Sequence, residues 1–169
     1  MKRLTLVLSF CSFLSFYLKA QVNESPSIFD QKKVLDAHNS LREEVGVSPL
    51  EWSVELAEKA KNWADKLALK NQGDDWFLEH SGPGENLAGG YVTGDAPEIR
   101  VLTGWGGEKT DFDSPSKKCL ELIKCGHYSQ IVWRNSKKVG CAVAANENGK
   151  YILVCNYDPP GNYNGQPAY

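Results

Sequence analysis

Apolar positions recur at helical spacing through the first third of the chain. Val34, Ala37 or His38, Leu41 and Val45 share one face of a segment running from about Phe29 to Val45; Ser27 and Asp30 form a capping-box pattern at its start and Gly46 ends it, so the spacing predicts a helix. A second helix is predicted after Ser53, with Leu56, Ala60, Trp63 and Leu67 on one face and Gly73 beyond its end. Residues 74–95 are turn-rich and read as a loop region containing LEHSGPGENLAGG (78–90). A third helix is expected to start at Asp95, with Pro97 in its first turn and Leu102 and Trp105 on its apolar face. Gly104, Gly106 and Gly107 each cost about 1 kcal/mol relative to alanine inside a helix, so this one should turn irregular near its end. After residue 138 the pattern changes to two strand-like runs, GCAVAA and YILVCNY, joined by the turn-rich NENGK of residues 146–150.

The first twenty residues, MKRLTLVLSFCSFLSFYLKA, place Lys2 and Arg3 ahead of an apolar run too short to span a bilayer, and read as a secretory signal peptide. Residues 21–28 then form a polar N-terminal tail, with a glycosylation sequon at Asn23-Glu24-Ser25 directly before Pro26, and residues 29–169 form the domain. A chain of 169 residues suits one domain of ordinary size. Removing residues 1–20 takes away Lys2, Arg3 and Lys19 and no acidic residue, which moves the formal charge from −2 to −5. That balance argues against nucleic acid and against an anionic membrane surface as the main partner, and leaves uncharged lipid open.

Four of the five cysteines remain once Cys11 leaves with the signal peptide, an even number in an exported chain, and four cysteines allow three disulfide connectivities. If the last two strands form a hairpin that pairs Ala145 with Tyr151, Cys141 stands opposite Cys155 at a separation a disulfide accepts. Cys119 is then left to close a short loop with Cys125. By chain-entropy estimates the two bridges contribute about 3 and 2 kcal/mol.

No HExxH helix, GxSxG elbow, Walker loop or GxGxxG after a strand occurs in the chain. What remains is His38, His80 and His127, with glutamates near glycine-rich bends. His38 lies mid-helix among Val34, Leu41 and Val45 and reads as a packed histidine tying the first helix to its neighbours. Ser129 stands two residues after His127, but a serine nucleophile needs a hydrogen-bonded base and an oxyanion hole, and neither is legible here.

The segments CGHYSQIVWRNS (125–136) and ILVCNYDPPGNY (152–163) resemble the two signatures of the CAP superfamily, named for cysteine-rich secretory proteins, antigen 5 and pathogenesis-related 1 proteins. HNSLR (38–42) and GENLA (84–88) resemble its two shorter motifs, all four in the family's order, and the likeness runs from about residue 29 to the end. It is nearest to the compact plant-type pathogenesis-related 1 members. The resemblance implies an α+β fold, a three-layer α-β-α sandwich with a small, mainly antiparallel sheet between helical layers. It also implies a tetrad of His80, Glu85, Glu108 and His127 in an open cleft, two imidazoles and two carboxylates that suit Zn²⁺ or another divalent cation. His38, Asn39, Arg42, Asn86, Tyr128, Gln130, Trp133, Asn156, Tyr157, Gly161 and Asn162 fall on motif positions.

Three departures stand out. Plant-type members carry a further disulfide, and Trp76 and Asn146 occupy its two positions, which leaves the 74–80 loop less tethered. The glycines around Trp105 bear on where Glu108 sits, and the tail ends in Pro167-Ala168-Tyr169 rather than the family's PY. The reading implied is a secreted, non-catalytic, monomeric CAP-type protein of the extracellular space, or of the periplasm or medium of a bacterium. It would act in defence or in interaction with an extracellular protein target, through a metal-capable cleft and with sterol or lipid as a ligand class. The alternatives are a zinc-dependent hydrolase with Glu85 or Glu108 as general base, and a precursor of a signalling peptide released after Asp158.

Overall fold

Asp30 opens the first helix, α1 (Gln31–Glu44), by accepting the Lys33 N–H on its carboxylate at 3.1 Å. Asp30 is therefore the cap itself, and the helix starts two residues later than the apolar spacing suggests. Phe29 packs outside the helix instead, its ring 6.3 Å from that of Trp52. The computed structural model describes residues 28–94 and 96–169. The expected signal peptide and tail to residue 27, with the sequon at Asn23 and with Ser27, and the expected helix start at Asp95 lie outside the described residues.

Ser53 caps α2 (Val54–Lys70) through its hydroxyl, which accepts the Leu56 N–H at 3.3 Å. The stripe that α2 buries is Ala60, Ala64, Leu67 and Ala68, while Leu56 and Trp63 are only half-buried. Small residues win this face because the helix lies almost on the sheet: a Cβ added at Gly140 would stand 2.2 Å from the Ala57 nitrogen.

Four strands form one sheet in the order β1-β3-β4-β2, with β1 Glu51–Trp52, β2 Glu85–Tyr91, β3 Lys138–Ala145 and β4 Lys150–Asp158. Only β1 with β3 is parallel. The β3–β4 hairpin has the register expected from the sequence: Ala145 faces Tyr151 and Cys141 faces Cys155, with the disulfide joining the latter pair at a Cα separation of 4.1 Å. β4 alternates between two cores. Tyr151, Leu153, Cys155 and Tyr157 point to a cluster with Val34, Leu41, Val101, Trp105, Tyr128 and Ile131, whereas Ile152 and Val154 join Ala142, Ala144 and Leu87 beneath α2. Helices therefore cover both faces of the sheet, the three-layer α+β sandwich that the resemblance implies.

Three elements differ from the sequence reading. GENLAGG is not loop: Glu85–Tyr91 is strand β2, paired residue for residue with β4. The glycine pair Gly89-Gly90 erases the alternation that would mark it, and the Trp76 and Tyr151 rings lie over those two positions. The third helix keeps regular α geometry only over one turn, α3 (Pro97–Ile99), then continues as π-helix over Arg100–Trp105 and as 3-10 helix over Gly106–Asp111. This shift rotates Val101 and Trp105 inward and leaves Leu102 exposed. Finally, Leu122–Ile131 is a helix, α4, in which Cys125, Gly126 and Tyr128–Ile131 are all buried, so it has no amphipathic period to read.

Candidate functional site

The bend Ser81-Gly82-Pro83-Gly84 delivers the chain into β2 with Glu85 as its first residue. Gly84 has a positive φ of 67°, and a Cβ there would stand 2.7 Å from that of Pro160, so only glycine lets the bend lie against the C-terminal segment. The buried Glu85 carboxylate accepts the Ser81 N–H at 2.8 Å and the Ser81 hydroxyl at 2.5 Å, and stands 3.3 Å from His80 Nδ1. Burial alone would raise this carboxyl. The hydrogen bonds from His80 and from the Ser81 side chain and backbone outweigh it and hold Glu85 below the usual carboxylate range.

The second pair is built from the irregular third helix and α4. The 3-10 turn carries Glu108, which accepts the N–H groups of His127 at 2.9 Å and of Tyr128 at 3.1 Å and meets His127 Nδ1 at 2.6 Å. The glycines that make this segment irregular thus coincide with a well-bonded Glu108. The His127 ring also stacks on Trp105, with centroids 5.7 Å apart and planes 17° apart.

His80, Glu85 and His127 line one open cleft of about 330 Å³, together with Asn86, Leu122, Ile123, Gly126 and Asn162. Glu108 sits behind His127. Two histidines thus border the cleft, each with Nδ1 against a carboxylate and Nε2 as its remaining ring nitrogen. The four side chains do not form a closed cage: among the described residues the one trio of metal-type ligand atoms within 4.8 Å of one another is His38, Cys141 and Cys155, and both of those cysteines are in the disulfide.

The motif residues tie this cleft to the core. His38 is buried, with Nδ1 2.7 Å from the Val34 carbonyl and Nε2 2.8 Å from the Tyr157 hydroxyl. Asn86 donates to that hydroxyl at 3.2 Å and to the His127 carbonyl at 3.0 Å. Asn162, with a φ of 59°, donates to the carbonyl of Gly126 at 2.8 Å, one residue before His127. Arg42 is buried and donates to the carbonyls of Ser48, Ile131, Trp133 and Ser136 at 2.7, 2.7, 2.9 and 3.1 Å, which fixes the end of α4. Asn39 exchanges two hydrogen bonds with the Leu50 backbone, and Gln130 accepts the Gly161 N–H at 2.8 Å beneath the Trp133 ring. Tyr128 packs edge-on to Phe112, and burial raises its hydroxyl to about 12. Asn156 is buried opposite Glu85 in the sheet. Ser129 is buried and borders a different pocket with Trp133 and Tyr163.

The loop that leads to His80 is held without the third disulfide. Lys150 is 5% exposed, and its Nζ donates to the carbonyls of Gly73, Asp74 and Asp75 at 2.6, 2.8 and 3.3 Å and lies 4.7 Å over the Trp76 ring. Asn146 donates to the Asn71 carbonyl at 2.6 Å, and Asn71 exchanges hydrogen bonds with the Phe77 backbone. The expectation of a less tethered loop is corrected: a lysine clamp takes the place of the covalent tie. Sequence reasoning missed this clamp and Ser81. A serine four residues before the buried glutamate was the available signal for Ser81.

The family model described as the cysteine-rich secretory protein family matches residues 35–157, a span that holds His38, both cleft histidines and the disulfide-linked hairpin. The chain belongs to this family. Within it, the chain is 46% identical over 142 residues to Pathogenesis-related protein 1A of Nicotiana tabacum, covering 82% of this chain and 80% of that one. It is 41% identical over 140 residues to Pathogenesis-related protein 1 of Arabidopsis thaliana, covering 82% of each. Among solved structures, hookworm platelet inhibitor superposes with a TM-score of 0.70 at 21% identity over 86% of this chain and 79% of that one. NaASP2 with Zn²⁺ superposes with a TM-score of 0.66 at 23% identity over 86% and 88%. At such identities the structural likeness shows the fold alone. The cysteine-rich character of the family is present as two disulfides, Cys119–Cys125 and Cys141–Cys155. Among the described residues no helix is long and apolar enough to cross a membrane.

Proposed function

We propose that the protein is secreted and acts as a defence-related binding protein, and that its cleft takes a divalent cation, Zn²⁺ foremost, on His80 and His127 without catalysing a reaction. The observation that carries this reading is the pairing of each histidine with its own carboxylate at Nδ1. A carboxylate there orients the ring and raises the basicity of Nε2, the arrangement that accompanies metal-bound histidine. Glu85 and Glu108 then serve as orienting groups rather than as two further ligands. The relatives' designation as pathogenesis-related supports the defence role, and a structural neighbour solved with Zn²⁺ supports the choice of metal.

The same hydrogen bonds favour binding over hydrolysis. A general base must stand within hydrogen-bond reach of an activated water, whereas both carboxylates are turned toward partners inside the protein, the Glu85 side chain 0% and that of Glu108 19% exposed. Glu85 is engaged by Ser81 and His80, and Glu108 by two backbone N–H groups and His127. Release of a C-terminal peptide is likewise disfavoured, because Ala168 donates to the Lys117 carbonyl at 2.7 Å and accepts from Arg134 at 2.6 Å while Tyr169 stacks on Phe112. Calorimetric titration of zinc into wild type, His80→Ala and His127→Ala tests the reading. Affinity should fall in both variants, and zinc-loaded wild type should cleave esters and unstructured peptides no faster than they do. Equal affinity in all three proteins, or a zinc-dependent rate lost in the variants, would overturn it.

A further inference from the structure

A pocket of about 410 Å³ lies between the loop that the Cys119–Cys125 disulfide closes and the C-terminal segment. Ser129 and Trp133, each 2% exposed, form its floor, and Tyr163, 51% exposed, stands at its mouth with Asn164 and Gln166. Its walls are fixed by the chain. The turn over residues 163–166 closes through the Gln166 N–H on the Tyr163 carbonyl at 3.1 Å, with Gly165 at a φ of 76°, and the Ala168 N–H donates to the Lys117 carbonyl at 2.7 Å. A pocket held on both sides is formed before any ligand arrives, and its volume is that of a small-molecule site.

The floor carries the deciding feature. A serine inside a helix ordinarily returns its hydroxyl to the carbonyl four residues back or points it to water. Ser129 is buried on α4, yet its hydroxyl makes no hydrogen bond to another described residue. Asn162 Oδ1, on the partition shared with the cleft, has no partner either. Buried polar groups left unpaired are costly, and a ligand hydroxyl reaching this floor would satisfy the serine.

The lining specifies the ligand's chemistry. Ser129, Asn164 and Gln166 offer uncharged donors and acceptors, while the tilted rings of Trp133 and Tyr163, 6.0 Å apart at their centroids, supply an aromatic wall. Among the described residues that line the pocket Lys118 is the one with a charge, and around the Cys119–Cys125 segment Asp111, Asp113 and Glu121 balance Lys117, Lys118 and Lys124. Neither an anion nor a cation is selected. An acyl chain or a sterol would fill the volume but strand the amides and the serine hydroxyl. A sugar ring suits both halves of the lining: each hydroxyl donates and accepts, and a β-glucose-type ring with its substituents equatorial presents bare C–H faces to an aromatic side chain.

We propose that this pocket binds a neutral, β-linked glucose-type saccharide, with one ring against Tyr163 and its hydroxyls on Ser129, Asn164 and Gln166. Leu122 and Asn162 line both this pocket and the cation cleft, so the variants that test it leave those two residues unaltered and chelator is present throughout.

The test is an amide ¹H–¹⁵N titration with cellotriose, laminaritriose and triacetylchitotriose. At least one of these should saturably shift Ser129, Trp133 and Tyr163 while the His80 amide stays in place. Tyr163→Ala should weaken that binding about tenfold and Ser129→Ala about fivefold. Ser129→Ala should melt with wild type, because the hydroxyl it removes has no partner in the fold, and a matching melting curve for Tyr163→Ala would show that variant folded. No shift with any of the three saccharides, shifts confined to the cleft, undiminished binding by either variant, or displacement of the saccharide by equimolar 1-octanol would overturn the proposal.

Discussion

His38 Nδ1 lies 2.7 Å from the carbonyl oxygen of Val34, an atom that can only accept, so the proton of this buried ring is on Nδ1 and Nε2 accepts from the Tyr157 hydroxyl at 2.8 Å. Tyr157 in turn accepts from Asn86, which also donates to the carbonyl of His127. A neutral imidazole at the centre of the core is thus joined by two side chains to the backbone of the cleft.

That neutrality makes stability depend on pH. Burial pushes His38 down to about 4; the Val34 hydrogen bond opposes the shift and the charge of Arg42 adds to it. An unfolded histidine titrates near 6.5, so between about 6.5 and 4 the unfolded chain takes up a proton that the native one refuses, and stability falls as pH drops through that window by about 3 kcal/mol. Glu85, held below its usual value, adds a further loss at lower pH, since its contribution is present above the unfolded carboxylate range and disappears as the native group protonates. Urea melts across pH 7 to 4 should show the decline, with a flatter profile in His38→Gln. A wild-type stability constant over that range would refute the assignment of a neutral core histidine.

Arg42 should be among the costliest surface-free substitutions. Its guanidinium supplies the donors for four carbonyls from two segments, Ser48 after α1 and residues 131–136 at the end of α4, and burial brings the group down to about 10 without neutralising it at ordinary pH. Arg42→Met strands those carbonyls and should cost about 3 kcal/mol or more by denaturant melting. Arg42→Lys, a point donor lacking the planar fork, should recover only part. Full recovery with lysine would show that charge alone matters.

Lys150→Met keeps the stem and the contact with Trp76 but removes the ammonium that gathers three carbonyls. Amide exchange should accelerate in residues 73–80 and stay unchanged in α1 and α4, and zinc affinity should weaken with wild-type ligands intact. Uniformly faster exchange would point to general destabilisation instead of a clamp on the His80 arm.

Legibility in the sequence followed physical scale. The β3–β4 register could be read because the two cysteines and the turn between them lie within fifteen residues, 141–155, and strand pairing has a fixed period, and α1 and α2 because each has one buried face. β2 and α4 could not be read for the opposite reason: Gly89-Gly90 leaves no side chains to alternate, and from Cys125 onward α4 is buried almost all round. The four cleft residues were legible only through resemblance, since His80 and Glu85 are 42 or more positions from His127 and nothing local joins them. Their division into two bonded pairs, and the parts played by Ser81 and Lys150, are properties of packing that no spacing rule carries.

The account turns on which nitrogen of each cleft histidine is free. Imidazole ¹⁵N spectra of the purified protein, recorded during a zinc titration near neutral pH, read this directly. The Nε2 resonances of both His80 and His127 should move on binding, both Nδ1 should stay protonated against Glu85 and Glu108, and His38 should not respond. Zinc-induced shifts at Nδ1, or at one cleft histidine alone, would contradict the account.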